Sequence, residues 1–172
     1  VMSHSGEAMA SLLYYAITYG LAALGAFGAV AVVEQGTGGA RLEDFAGLSR
    51  RAPLVSLCLM VFLLSLAGIP PLAGFFGKFY VFAAALKTGA PGLGLLWLVI
   101  LAITLSAVSL YYYLLVLKRA YVAAAPADAA PSKVAPIRQM VICALALGVI
   151  VFGCMPELLT GPLRTAVRLA GF

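Results

Sequence analysis

The chain has 172 residues, of which 64% are hydrophobic and only 10% are charged, and its mean hydropathy is +1.09. Soluble domains average about 45–50% apolar and about 25% charged residues, so this composition excludes an ordinary soluble domain and indicates an integral membrane protein. The net charge of +5 is of the kind that orients a membrane protein, and we expect no nucleic-acid partner.

The start of the chain does not indicate secretion, and the cysteines do not indicate a metal site. The chain begins at Val1, and no signal-peptide pattern precedes its first apolar run, so we expect it to be a piece of a longer polypeptide. Cys58, Cys143 and Cys154 lie in apolar runs without paired spacing. This pattern predicts packing residues, with neither a disulfide framework nor a metal site.

Residues 10–33 form the first predicted membrane span. They carry no charge, and about 20 apolar residues suffice to cross a bilayer as a helix. Gly25 and Ala29 are small residues four positions apart, a spacing that lets helix backbones approach closely. Residues 34–52 follow as a predicted polar loop, because six of them are charged: Glu34, Arg41, Glu43, Asp44, Arg50 and Arg51.

Residues 53–86 form the second predicted span, which carries one charge, Lys78. A continuous helix of this length would measure ~51 Å, against a hydrocarbon core of ~30 Å, so the helix must be broken. The break is predicted at the helix-disfavouring residues Gly68, Pro70, Pro71, Gly74 and Gly77. Two interpretations remain: a hairpin of two short spanning helices, or one crossing made of two half-helices around an unwound stretch.

Residues 94–117 and 137–155 are the third and fourth predicted spans. The third ends in three tyrosines close to two basic residues, as is typical of a membrane–water interface. Residues 123–136, rich in alanine and proline, are predicted to be an exposed linker. After the last span, Arg164 and Arg168 lie four positions apart, which predicts a short amphipathic turn along the interface.

The basic residues help to choose between the two interpretations of residues 53–86. A single crossing places seven basic residues on one side of the membrane and three on the other, whereas a hairpin gives six against four. The positive-inside rule favours the single broken crossing. We therefore expect one membrane domain over residues 1–172 with four crossings, loops 34–52 and 118–138 in the cytoplasm, and both ends on the opposite side.

Lys78 is the candidate functional residue. It lies nine residues before Lys87, which is ~13 Å along a helix axis and near the middle of a ~30 Å core. A lysine at that depth costs at least ~2.5 kcal/mol and usually faces a wet cavity or a carboxylate. A lysine whose charge is balanced between desolvation and a nearby carboxylate can take up and release a proton. The alternative is a structural ion pair.

The residues also offer candidates for other parts of a proton path. All six acidic residues lie in loops or at the ends of spans, so an acidic partner of Lys78 must come from another part of the protein. Hydroxyl side chains that could line a water wire with Lys78 are Ser65, Tyr80, Thr104, Ser106 and Ser109. Most such hydroxyls serve helix packing instead. Tyr14, Tyr15 and Tyr19 are interpreted as interface or packing aromatics.

The segment LLSLAGIPPLAGFFGKFYVF (63–82) resembles the discontinuous twelfth helix of the antiporter-like subunit N family of proton-pumping NADH:quinone oxidoreductase, respiratory complex I. YGLAALGAFGAVAVV (19–33) is similar to that family's eleventh helix, and SAVSLYYYLLVLKRAY (106–121) to the end of its thirteenth. DFAGLSRRAPLVSLCLMVFLLSLAGIPP (44–71) resembles the connecting loop and the first half-helix. The resemblance implies the C-terminal part of a longer subunit with an antiporter-like fold.

The resemblance also implies a function. In that family the lysine that matches Lys78 is a proton-channel residue on the exit side, and redox chemistry belongs to other subunits. It therefore implies proton translocation in a bacterial inner membrane, coupled to quinone reduction elsewhere in the enzyme. This chain itself would hold no flavin, iron–sulfur cluster or nicotinamide. The implied partners are other membrane subunits, the N-terminal part of the same subunit, and lipids.

Two other kinds of function remain open on the sequence. One is a subunit of a multisubunit sodium/proton antiporter or of a membrane-bound hydrogenase, which share the broken helix. The other is a non-catalytic membrane scaffold in which Lys78 only fixes the packing of helices.

Overall fold

The computed structural model describes residues 2–87, 96–125 and 134–171, except for the side chains of residues 2–5 and of Lys87. Within these ranges the chain folds into helices and connecting turns, which confirms the all-α class. The elements are α1 (Met2–Thr37), a 3-10 helix (Leu42–Phe45), α2 (Leu48–Arg51), α3 (Pro53–Ala67), α4 (Ala73–Lys87), α5 (Leu96–Tyr121), α6 (Pro136–Cys154) and α7 (Glu157–Leu169).

Three of the described helices are long and apolar enough to cross a membrane: Gly6–Thr37, Leu96–Tyr121 and Pro136–Cys154. They match the first, third and fourth predicted spans, and their bounds differ by a few residues. The predicted start of the third span, residues 94 and 95, lies outside the described residues, as does most of the predicted linker. Pro136, placed in that linker, is instead the first residue of α6, where its fixed φ and missing N–H suit a helix start.

The polar stretch 34–52 is more ordered than the predicted loop. α1 continues past Glu34 to Thr37, and the 3-10 helix and α2 occupy much of the rest. Asp44 stabilises the 3-10 helix by accepting a hydrogen bond from the backbone N–H of Arg41 at 2.7 Å. Phe45 and Leu48 are buried in the core. The burial of these two apolar side chains anchors the segment to the core.

The second span is broken, as the sequence predicts. α3 and α4 each have 15 residues, or ~22 Å, so neither alone crosses a ~30 Å core. They follow one another along α1. Tyr80 of α4 packs against Tyr14, with ring centroids 5.6 Å apart, and further along α1 the ring of Phe62 in α3 packs onto Gly25. This tandem order favours one crossing made of two half-helices.

A second contact also favours the single crossing. The backbone N–H of Gly47 donates to the carbonyl oxygen of Arg119 at 3.3 Å. The end of α5 therefore lies beside the polar stretch that follows α1, so these two basic regions share one side of the bundle. A single broken crossing requires this arrangement, and a hairpin would separate them. The count of four crossings remains a prediction.

The C-terminal segment forms a complete helix, longer than the predicted turn. α7 has 13 residues and packs against α1. Thr160 and Val167 are buried, whereas Arg164 and Arg168 are exposed. The amphipathic character is thus confirmed, and its position along a membrane interface remains a prediction.

Candidate functional site

The first half of the broken helix ends at a glycine-based cap. Gly68 adopts a left-handed conformation, with φ +88°, that residues with a side chain rarely adopt. Its N–H donates to the carbonyl oxygens of Leu64 and Ser65 at 3.1 and 2.9 Å, and the N–H of Ile69 donates to Leu64 at 3.0 Å. This pattern is a Schellman motif, and it leaves the last two carbonyls of α3 without backbone donors.

Those two carbonyls belong to Leu66 and Ala67. In a continuous helix their donors would be the N–H groups four residues later, at positions 70 and 71. Both positions are proline, which has no N–H. The side chain of Lys78 supplies the donors instead: its Nζ atom lies 2.9 Å from the oxygen of Leu66 and 3.3 Å from that of Ala67. The side chain of Lys78 thus replaces the two N–H donors that the prolines lack.

Two glycines bring α4 close to its neighbours. The N–H of Gly74 donates to Oγ of Ser65 at 3.1 Å, and a Cβ at Gly74 would collide with the carbonyl oxygen of Ser65. A Cβ at Gly77 would lie 3.1 Å from the ring of Tyr15 and 3.3 Å from Oγ1 of Thr18. Each glycine therefore allows the close approach of another helix, and this approach places Lys78 at the end of α3.

A third acceptor comes from α5. Oγ of Ser106 lies 3.1 Å from Nζ of Lys78. A lysine ammonium has three donors and no acceptor, so the two carbonyls and this hydroxyl use all three. Lys78 is half-buried, and its hydrogen-bond partners among the described residues are neutral. The acidic partner that the sequence places elsewhere remains a prediction.

Lys78 opens onto a cavity of ≈ 370 Å³. Its polar lining consists of Tyr15, Tyr19, Lys78, Ser106, Ser109 and Tyr113, and apolar side chains from α3, α4 and α5 complete the wall. A cavity of this volume that offers several polar partners can hold water. The site therefore combines a lysine at the helix break with hydroxyl groups and space for water.

The structure separates the five predicted water-wire hydroxyls. Ser106 and Ser109 line the cavity, whereas Ser65, Tyr80 and Thr104 lie outside its lining. Ser65 is fully buried and holds the start of α4. Thr104 is exposed, and its Oγ1 donates to the carbonyl of Ile100 at 2.9 Å. Tyr80 packs against other aromatic rings.

Three tyrosines of the cavity were not predicted as site residues. Tyr15 and Tyr19 were interpreted as interface or packing aromatics, and Tyr113 as an interface residue, yet all three line the cavity. One signal was present in α5, because Ser106, Ser109 and Tyr113 are spaced by three and four residues and so share one helix face. Tyr14, in contrast, is a packing residue with no exposed surface.

The cysteines behave as packing residues in part. Cys58 of α3 is buried in the core, whereas Cys154 at the end of α6 is exposed. Cys58 and Cys143 meet between α3 and α6, with their Sγ atoms 3.8 Å apart. Among the residues that the structure describes, no three His, Cys, Asp or Glu side chains form a group that could hold a metal ion.

Comparisons with known proteins agree on one family. The profile of the family described as "NADH:quinone oxidoreductase/Mrp antiporter, TM" matches residues 1–117. The chain is 51% identical over 164 residues to "NADH-quinone oxidoreductase subunit N 2" of Acidobacterium capsulatum, covering 95% of this chain and 33% of that protein. It is 47% identical over 161 residues to a protein of the same name from Herpetosiphon aurantiacus, covering 93% and 29%.

A solved structure has the same fold. A chain of respiratory complex I from Thermus thermophilus, determined with bound aureothin, matches with a TM-score of 0.73 and 34% sequence identity. The match covers 90% of this chain and 34% of that one. The present chain thus spans about a third of the length of the relatives it matches, and the antiporter-like helical fold is confirmed.

Proposed function

The chain belongs to the NADH:quinone oxidoreductase/Mrp antiporter transmembrane family, and from this membership we propose that it is the C-terminal part of a proton-translocating subunit of NADH:quinone oxidoreductase. The relatives named subunit N of that enzyme support the proposal. The observation that carries it is Lys78, an intramembrane lysine at a helix break that opens onto a hydroxyl-lined cavity. Ionisable residues at such breaks are a recurring feature of transporters.

In this proposal Lys78 accepts a proton from an upstream group and passes it on. The carbonyls of Leu66 and Ala67 and the hydroxyl of Ser106 orient its ammonium, and the cavity gives water access to it. A change in nearby charge, driven by quinone reduction in other subunits, would alter the balance between the charged and neutral lysine. The proposal assigns no redox cofactor to this chain.

The partners and the location follow from the same proposal. The chain would assemble with the N-terminal part of its own subunit, with other membrane subunits and with lipids, in a bacterial inner membrane. Loops 34–52 and 118–138 would face the cytoplasm, and both ends would face the other side. The basic residues of these loops support this orientation, and so does the hydrogen bond between Gly47 and Arg119, because it joins a residue of the first loop to a residue at the start of the second.

The test is the Lys78→Met substitution in the full-length subunit within the intact enzyme. Proton pumping per electron and coupled quinone reduction are measured in membrane vesicles, and assembly is checked by native gel. We expect both activities to fall, while Lys118→Met, which removes an exposed lysine at the end of α5, leaves them unchanged. Wild-type pumping by an assembled Lys78→Met enzyme would exclude the proposal.

A sodium/proton antiporter subunit is the second candidate, because the description of the matched family also includes Mrp antiporters. The two functions differ in what accompanies the chain. A subunit of NADH:quinone oxidoreductase should purify with a flavin-containing peripheral arm, and its transport should depend on NADH oxidation. Transport that depends on sodium and needs no NADH would favour the antiporter.

A further inference from the structure

The three partners of Lys78 differ in what they can do when the lysine loses its proton. A charged ammonium has three donors, and these match two carbonyl oxygens and one hydroxyl. A neutral amine has two donors and a lone pair that needs a donor. The carbonyls of Leu66 and Ala67 can only accept hydrogen bonds, whereas the hydroxyl of Ser106 can also donate. Ser106 is therefore the partner that suits both states of the lysine.

The hydroxyl hydrogen of Ser106 is also free to serve as the donor to the neutral amine. Thr104 and Ser109, on the same helix, donate to the carbonyls of Ile100 and Leu105 at 2.9 and 3.0 Å. Such bonds to the preceding turn hold a hydroxyl in place. Among the hydrogen bonds of the described residues, Ser106 has none of this kind and only accepts from Lys78. Its hydrogen can turn either into the cavity or back towards Nζ.

We infer that Ser106 is the group through which Lys78 exchanges its proton with the cavity, an inference that rests on the proposed function. In the transfer, Oγ of Ser106 takes a proton from the Lys78 ammonium, and the original hydroxyl hydrogen passes to a water molecule in the cavity. Lys78 becomes a neutral amine, Ser106 remains a neutral hydroxyl, and the water carries the proton away. The new O–H bond lies along the line to Nζ, so the hydroxyl donates to the neutral amine, and it turns towards the cavity again only when the lysine regains a proton.

Among the three hydrogen-bond partners of Lys78, Ser106 is the one that can pass a proton on. The other two partners are carbonyl oxygens of the helix end, which have no hydrogen to pass on. Ser106 lies on the wall of the ≈ 370 Å³ cavity, together with Ser109, Tyr15, Tyr19 and Tyr113. These hydroxyls can hydrogen-bond water and so support a chain of proton transfers beyond Ser106. The route from Lys78 thus begins at α5.

The experiment compares Ser106→Ala with Ser106→Thr in the intact enzyme, beside Lys78→Met as the reference. Positioned proton transfer usually contributes on the order of 10²–10⁴ in rate, and a water molecule in the space of the lost hydroxyl would recover part of it. We expect Ser106→Ala to lower NADH-driven pumping roughly tenfold, and Ser106→Thr, which keeps the hydroxyl, to restore it. Thr104→Ala, which removes a hydroxyl outside the cavity, is the matched control and should pump normally.

The outcomes separate this inference from the proposed function. Loss of pumping in Lys78→Met with normal pumping in an assembled Ser106→Ala enzyme would overturn the role of Ser106 alone. An equal loss in Ser106→Ala and Ser106→Thr would also overturn it, because it would indicate a packing role. If Ser106→Ala fails to assemble, Ser106→Cys replaces it: a weak thiol donor should lower pumping, and a wild-type rate would overturn the inference.

Discussion

The Nζ atom of Lys78 lies 2.9 Å from the carbonyl oxygen of Leu66, whose helical donor would have been the N–H that Pro70 lacks. The lysine therefore occupies the place of a backbone donor at the end of a half-helix. A cation is also favoured there, because the carboxyl end of a helix carries partial negative charge. The proline pair and the lysine, which look incompatible with a membrane helix when taken singly, stabilise each other.

This relationship gives a test that separates a relay from a structural cation. We expect Lys78→Arg to assemble like the wild type, because a guanidinium can still donate to the two carbonyls. Pumping should fall as far as in Lys78→Met, because arginine does not release its proton in proteins. Native gels and pumping per electron provide the measurements. An assembled Lys78→Arg enzyme that pumps normally would mean that the charge acts only in packing, as the scaffold alternative holds.

Gly74→Ala should weaken the break itself. The added Cβ would meet the carbonyl oxygen of Ser65 and lie 2.7 Å from its carbonyl carbon, and forcing such a contact typically costs about 1–3 kcal/mol. We expect a lower midpoint in thermal dissociation of the purified enzyme. Gly148→Ala is the control, because a Cβ there meets nothing within 4 Å and alanine is the better helix former. Equal stability of the two variants would contradict the packing of α4 against α3.

Tyr14→Phe should loosen the contact between α1 and α6. Tyr14 has no exposed surface, and its hydroxyl donates to the carbonyl oxygen of Phe152 at 2.7 Å. The helical donor for that carbonyl would be the N–H at position 156, which is proline. Leaving the carbonyl unpaired should cost about 1–3 kcal/mol of stability. The same thermal assay measures the loss, and Tyr112→Phe, at a tyrosine that is 61% exposed, should leave the midpoint unchanged.

Oxidative cross-linking tests the packing of α3 against α6. The Sγ atoms of Cys58 and Cys143 are 3.8 Å apart, so they need to approach by less than ~2 Å to form a disulfide. Copper phenanthroline should link these two cysteines and leave Cys154 open to alkylation, as measured by peptide mass. Cys143→Ser should abolish the product. A link between Cys58 and Cys154 would contradict this arrangement of helices.

Much of the fold was predictable because its causes are local. Hydropathy over a window of residues identifies a membrane helix, and the length of 53–86 against the bilayer requires a break at Pro70 and Pro71. The depth expected for Lys78 rests on the same count and stays a prediction. The burial of Phe45 and Leu48 was not predictable, because the charged residues around them predict a loop. Only the packing of neighbouring helices shows that these two side chains lie in a core.

The sequence by itself determined that this is a membrane protein with a broken helix and a lysine beside the break, because hydropathy, length and proline chemistry act within a segment. Only the tertiary structure decided which groups Lys78 meets. Ser106 is 28 residues away, and its contact depends on how α5 packs against the break. The same packing brings Tyr15, Tyr19 and Tyr113 to one cavity. Such contacts join residues far apart in the chain, so no local pattern can specify them.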